Sequence, residues 1–127
     1  MVSSSQAKPI ADRLNQIQQT LPASVRLIAV SKQVSTEAIR LAYEAGVRDF
    51  GESRIQEVAE KQAALHDLAD ITWHLIGHLQ SNKAARALDY FQWIHSIDSL
   101  KLAEKLNQLA IDRPVKPNVL LQVKTVT

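Results

Sequence analysis

Residues 25–51, VRLIAVSKQVSTEAIRLAYEAGVRDFG, decide the fold. They open on Val25-Arg26-Leu27-Ile28-Ala29-Val30, a short apolar run of the kind a buried strand shows. Ser35 or Thr36 then caps a helix that turns Ala38, Ile39, Ala42 and Ala45 inward. Gly46 closes that helix as a left-handed C′ residue, and Val47-Arg48-Asp49-Phe50-Gly51 returns as a second strand. A strand, a helix and a strand in so short a span form a βαβ unit.

The same unit recurs downstream. Ser53 with Gln56 three residues later reads as a capping box for a helix that buries Ile55, Val58, Ala59 and Ala63. Ile71–Ile76 is a third strand, and Ser81 is expected to cap a short helix containing Ala84, Ala85 and Leu88. Phe91–Ile97 is a fourth strand, followed by a helix with Leu102, Leu106 and Leu109 on one face. Pro114 and Pro117 lead into a fifth strand, Val119–Val123. Upstream, Ile10, Leu14, Ile17 and Leu21 mark a first helix, with Pro9 in its first turn and Pro22 at its end. Strands therefore begin about every 20–28 residues, the period of a parallel α/β sheet with right-handed crossovers. An open doubly wound sheet and a (β/α)₈ barrel share that period. The chain reaches Thr127 with no helix to cover its fifth strand, which favours an unfinished barrel. The expected inner face of that barrel includes Ile28, Val30 and Leu121.

Composition narrows the function classes. With 46% hydrophobic and 22% charged residues, the chain is that of an ordinary folded domain, and its length suits one domain, residues 1–127. It has no cysteine, which excludes disulfides, thiolate catalysis and thiolate metal sites. Met1–Ile10 has no apolar run of the signal-peptide kind, and no stretch reaches the ~18 apolar residues of a membrane helix. A cytoplasmic location is expected. Net charge is +2 and the pI about 9.0, yet the basic residues are interspersed with acidic ones, which argues against a nucleic-acid partner; the lack of a long apolar run argues against a membrane one.

In either architecture the chemistry sits at the carboxyl ends of the strands. Those ends read Ser31-Lys32, Gly51-Glu52-Ser53, Ile76-Gly77-His78 and His95-Ser96-Ile97-Asp98. A lysine directly after a buried strand can serve as an amine nucleophile toward aldehydes, although most strand-end lysines simply face solvent. His74, His78 and His95 lack the spacing of a zinc site. The three glycines, Gly46, Gly51 and Gly77, cannot build a phosphate loop or a dinucleotide fingerprint.

Taken together, five segments resemble the signature blocks of the pyridoxal phosphate homeostasis proteins. They are Ala29-Val30-Ser31-Lys32; Phe50-Gly51-Glu52-Ser53-Arg54 with Gln56-Glu57; Trp73-His74-Leu75-Ile76-Gly77 with Leu79-Gln80 and Asn82-Lys83; His95-Ser96-Ile97-Asp98-Ser99; and Leu121-Gln122-Val123. They occur in the family's order and spacing between about Leu14 and Lys124. The resemblance implies a (β/α)₈ barrel like the N-terminal domain of alanine racemase, of which this chain covers about five βα units. It implies pyridoxal 5′-phosphate at the carboxyl mouth, bound as a Schiff base on Lys32, with Ser53, His74 and Ser96 among the cofactor contacts. The phosphate is held in this family by the last strands, so a chain ending at Thr127 is expected to lack that cradle. The complete barrel is expected to be a monomer.

Two positions depart from the pattern: Ser53 stands where asparagine is usual, and Lys124 where asparagine often follows the fifth block. Serine is shorter and offers one hydroxyl in place of an amide. The resemblance further implies a role in cofactor homeostasis and amino- and keto-acid balance without strong catalysis. Racemases of this barrel type use a tyrosine from an additional domain as second acid/base, and Tyr43 and Tyr90 are poorly placed for that. A weak amino-acid racemase and a cofactor-free regulatory module are the alternatives.

Overall fold

A computed structural model describes residues 4–125. Met1–Ser3 and Val126–Thr127, on which the readings of the two chain ends partly rest, lie outside the described residues. The order is α1 (Ser4–Thr20), β1 (Ala29–Val30), α2 (Thr36–Glu44), β2 (Asp49–Glu52), α3 (Ile55–Ala64), β3 (Thr72–Leu75), a 3₁₀ turn (Ser81–Lys83), α4 (Ala84–Tyr90), β4 (Trp93–Ile97), α5 (Leu100–Ala110) and β5 (Asn118–Leu121). All pairings are parallel, and the sheet order is β1-β2-β3-β4-β5.

That order decides between the two architectures. A doubly wound sheet reverses direction at a switch point, so its spatial order departs from its chain order. Here each strand is added beside the last, and right-handed crossovers then place every helix on one face. This is the progression of a barrel wall.

The helix-facing side is the core. Val30 pairs with Gly51, Gly51 with His74 and His74 with Trp93, while Phe50 pairs with Trp73 and Leu75 with Ile94. Side chains alternate along each strand. Phe50, Trp73, Leu75 and Ile94 thus face the helices, where they pack with Ile39, Val58 and Leu102. Phe50 and Trp73 meet with ring centroids 5.9 Å apart. Val30, Gly51, His74 and Trp93 share the opposite face.

Local chemistry explains most boundaries. Ser35 caps α2, its Oγ accepting from Ala38 N at 3.2 Å, and Gly46 follows with φ +108. Ser99 caps α5 by accepting from Leu102 N at 3.1 Å. Four expectations need correction. Pro9 lies inside α1 and not in its first turn, because the helix continues upstream of it. Ser81 opens a 3₁₀ turn without a side-chain cap, and Ala85 is exposed. Ala63 is likewise exposed, while Lys61 takes a buried place on the inner stripe of α3. Leu121 belongs to the helix side and not the inner face. Ile94 pairs with Val119 and Ile97 with Leu121, so a bulge in β4 sets three residues against two. Val119 and Leu121 consequently line one cavity with Leu106 of α5.

Candidate functional site

The carboxyl ends of β1, β2, β3 and β4 bring together Lys32, Ser53, Gly77, His78, Ser96 and Asp98. Lys32 is exposed at the corner of a β-turn, Ser31–Val34, closed by Val34 N donating to Ser31 O at 3.0 Å. Ser31 itself is buried and donates its hydroxyl to Glu52. Its side chain therefore points toward the helices, whereas that of Lys32 is exposed.

Behind this turn lies a buried ion pair. Glu52 is fully buried at the end of β2, and Lys61 Nζ of α3 donates to its two carboxylate oxygens at 2.9 and 3.1 Å. The same ammonium donates to the carbonyl of Ser31 and lies 3.6 Å from Glu57 Oε2. Burial of both charges is tolerable only because each meets the other and further hydrogen-bonding partners. The sequence carries a signal for this pair: Glu52 alternates with Phe50 onto the helix side, where a carboxylate requires a cation. Lys61 continues the buried stripe Ile55–Val58 of α3.

Ser53 lies at the mouth as expected, but it does not cap α3. Arg54 is the N-cap, with extended backbone and no side-chain cap bond, so the helix starts one residue later than the capping-box reading requires. The close approach of Gly77 explains the constraint on Ser53. A Cβ on Gly77 would lie 2.9 Å from both Ser53 Cβ and Ser53 O, so only glycine lets the two loops touch. Ser96 is buried in the bulged part of β4, and its Oγ has no hydrogen-bond partner. Such an orphaned hydroxyl beside the mouth is a natural contact for a polar ligand. At the rim, His78 Nδ1 stands 3.6 Å from Asp98 Oδ2.

His74 sits deeper. It is buried on the inner face, with Nε2 2.8 Å from Asp49 Oδ1 and Nδ1 3.0 Å from His95 Nε2. Its ring stacks on Trp93 at 5.6 Å, and Arg26 pairs with Asp49 at 3.0 Å. Burial lowers the pKa of His74, against the pull of the Asp49 hydrogen bond, and also lowers that of His95. Both nitrogens of His74 are committed, so it supports the mouth from beneath and has no nitrogen free for a ligand. Among the described residues no cluster of three histidine, cysteine or acidic groups is arranged for a metal. No described helix is long and apolar enough to cross a membrane.

The alanine racemase N-terminal domain model matches residues 6–126. The chain belongs to that family. Its curated relatives in the family include the pyridoxal phosphate homeostasis proteins of Synechocystis sp., 51% identical over 105 residues, and of Escherichia coli, 39% identical over 104. These alignments take in 83% and 80% of this chain but 48% and 44% of those proteins, so the chain spans about half their length. Among solved structures, PipY of Synechococcus elongatus with PLP bound superposes with a TM-score of 0.89 at 55% identity, over 92% of this chain and 55% of PipY. Alanine racemase of E. faecalis, at 19% identity and a TM-score of 0.71, shares the fold of this family.

Proposed function

We propose that residues 1–127 form the first five βα units of a single barrel domain that binds pyridoxal 5′-phosphate as a Schiff base on Lys32. One observation carries this reading: the exposed amine of Lys32 stands on a braced turn at the mouth of a chain 55% identical to a protein solved with that cofactor. The residues present suit such a group. The orphaned Ser96 hydroxyl and Ser53 stand at the carboxyl ends of β4 and β2, and His74 stacks on Trp93 on the inner face of the sheet. When bound, the cofactor supplies an aldehyde. Lys32 would hold it through its amine nitrogen, bonded to the aldehyde carbon, with the aldehyde oxygen leaving as water together with the two amine hydrogens.

The site favours holding and releasing the cofactor, in keeping with PLP homeostasis and amino- and keto-acid balance, over turning substrates over. Racemization needs a second acid/base opposite the lysine. The Tyr43 hydroxyl is bonded to Asp70, and the Tyr43 ring lies 3.6 Å from the Arg48 guanidinium carbon, at the amino ends of the strands. Tyr90 precedes β4 at that same end. In this reading the protein is a cytoplasmic cofactor carrier, monomeric as a complete barrel, with the small molecule as its ligand.

The visible absorbance spectrum of the full-length protein with the cofactor, before and after borohydride, tests this. The parent should show a band that reduction removes, and Lys32→Ala should show neither band nor fixed adduct. A band of equal strength in Lys32→Ala would overturn the reading.

A further inference from the structure

The turn that carries Lys32 is held from behind at three points. Ser31 is bonded at both its hydroxyl, by Glu52, and its carbonyl, by Lys61. On the other side of Lys32, the backbone N–H of Gln33 lies 3.0 Å from both oxygens of Glu57. Gln33 has φ +61 and is the one non-glycine residue with positive φ among the described residues. It occupies the third position of the Ser31–Val34 turn, where such a φ favours glycine or asparagine. A glutamine there is strained, and strain persists only where the surroundings over-determine it. Glu57 provides that restraint. Glu57 and Lys61 are four residues apart on α3, so one helix face grips the turn on both sides of the lysine.

We propose that Glu57, backed by the buried Glu52–Lys61 pair, is a positioning residue for Lys32, fixing the turn in its strained form so that the amine is presented at the mouth before the cofactor arrives. The inference rests on the reading of Lys32 as the attachment point. Its physical content is preorganisation: a turn already fixed loses little freedom when the bond to the aldehyde forms. Glu57 bonds the Gln33 amide and lies near Lys61, and it makes no ion pair with the Lys32 amine.

The test uses Glu57→Ala, Glu57→Gln and, as a control on the same helix, Glu60→Ala in the full-length protein. Three quantities are measured: exchange of the Gln33 amide without ligand, the rate of adduct formation with pyridoxal 5′-phosphate, and the melting temperature. Glu57→Ala should speed Gln33 exchange by about tenfold or more, because the amide loses its acceptor. It should slow adduct formation about tenfold while melting hardly changes. Glu57→Gln, whose amide oxygen still accepts from Gln33, should recover most of the rate, and Glu60→Ala should match the parent. An unchanged rate in Glu57→Ala, or a loss of rate that simply follows a loss of melting temperature, overturns the positioning role alone. Absence of any adduct in the parent overturns the cofactor reading and the positioning role with it.

Discussion

The sheet carries two buried polar clusters on opposite faces, and they solve the problem of burial differently. On the helix side, Glu52 and Lys61 keep full charges out of water by answering each other and by bonding Ser31. On the inner face, His74 reduces its charge: burial lowers its pKa, and a chain of neutral-capable rings links Asp49 to His95. The first cluster braces a backbone turn. The second forms the floor of the mouth and responds to pH. A parallel strand can thus present a rigid support to its loop on one face and a titratable lining on the other, using adjacent positions of one alternation.

The comparison is broken most violently at Lys61. Lys61→Met leaves Glu52 buried with no cation, which should cost about 3–5 kcal/mol in denaturant unfolding. Adding Glu52→Gln should return much of that loss, since a neutral pair of similar volume has no charge to strand. If Lys61→Met alone is neutral, the pair is not the support it is taken to be.

On the inner face, Asp49→Ala removes the acceptor of His74 Nε2 and the partner of Arg26. A buried donor left unsatisfied costs about 1–3 kcal/mol, so the unfolding midpoint should fall by less than for Lys61→Met. An effect larger than that of Lys61→Met would reverse the ranking of the two clusters.

The pH response sharpens the contrast further. The folded-state pKa of His74 and of His95 lies below the ordinary value of 6.5. Above that ordinary value both rings are neutral folded or unfolded, and stability is complete. As pH falls below it, the unfolded chain takes up protons that the folded rings resist, so stability declines until pH passes the folded-state values. Urea midpoints measured from pH 8 to pH 5 should show this decline, and His95→Gln should reduce it. A flat profile would mean that the inner cluster is not titrating as the geometry implies.

Smallest of all is Ser53→Ala. A capping serine is worth about 1 kcal/mol, the loss expected for Ser35→Ala in α2. Ser53 has no such role, so its replacement should shift thermal melting by clearly less than Ser35→Ala does. Equal losses would restore the capping box that Arg54 displaces.

The strand–helix period was legible because each βα unit writes its own punctuation: the apolar run before Ser31, the Ser35 cap and Gly46. The placement of Lys32 at the mouth was legible from the same run. The support beneath it was less so, because burial of Lys61 depends on a contact between α3 and the turn after β1, thirty residues away. Composition alone assigns a lysine to the surface. The capping box is not formed: Ser53 lies against Gly77 in the turn after β2, and Arg54 takes the N-cap position of α3. The face of Leu121 was not legible because register, not the β5 sequence, decides it: Val119 pairs with the helix-facing Ile94, and Leu121 follows on the same side by alternation.

The central claim is that Lys32 is the amine that meets the cofactor, and peptide mapping after borohydride reduction of the full-length protein with pyridoxal 5′-phosphate tests it most directly. Lys83, in the 3₁₀ turn after β3, and Lys124, beyond β5, are also exposed at the carboxyl ends of the strands, so the mapping discriminates among true competitors. A single reduced adduct is expected, on the peptide containing Lys32. An adduct on Lys83 or Lys124, with Lys32 unmodified, would contradict it.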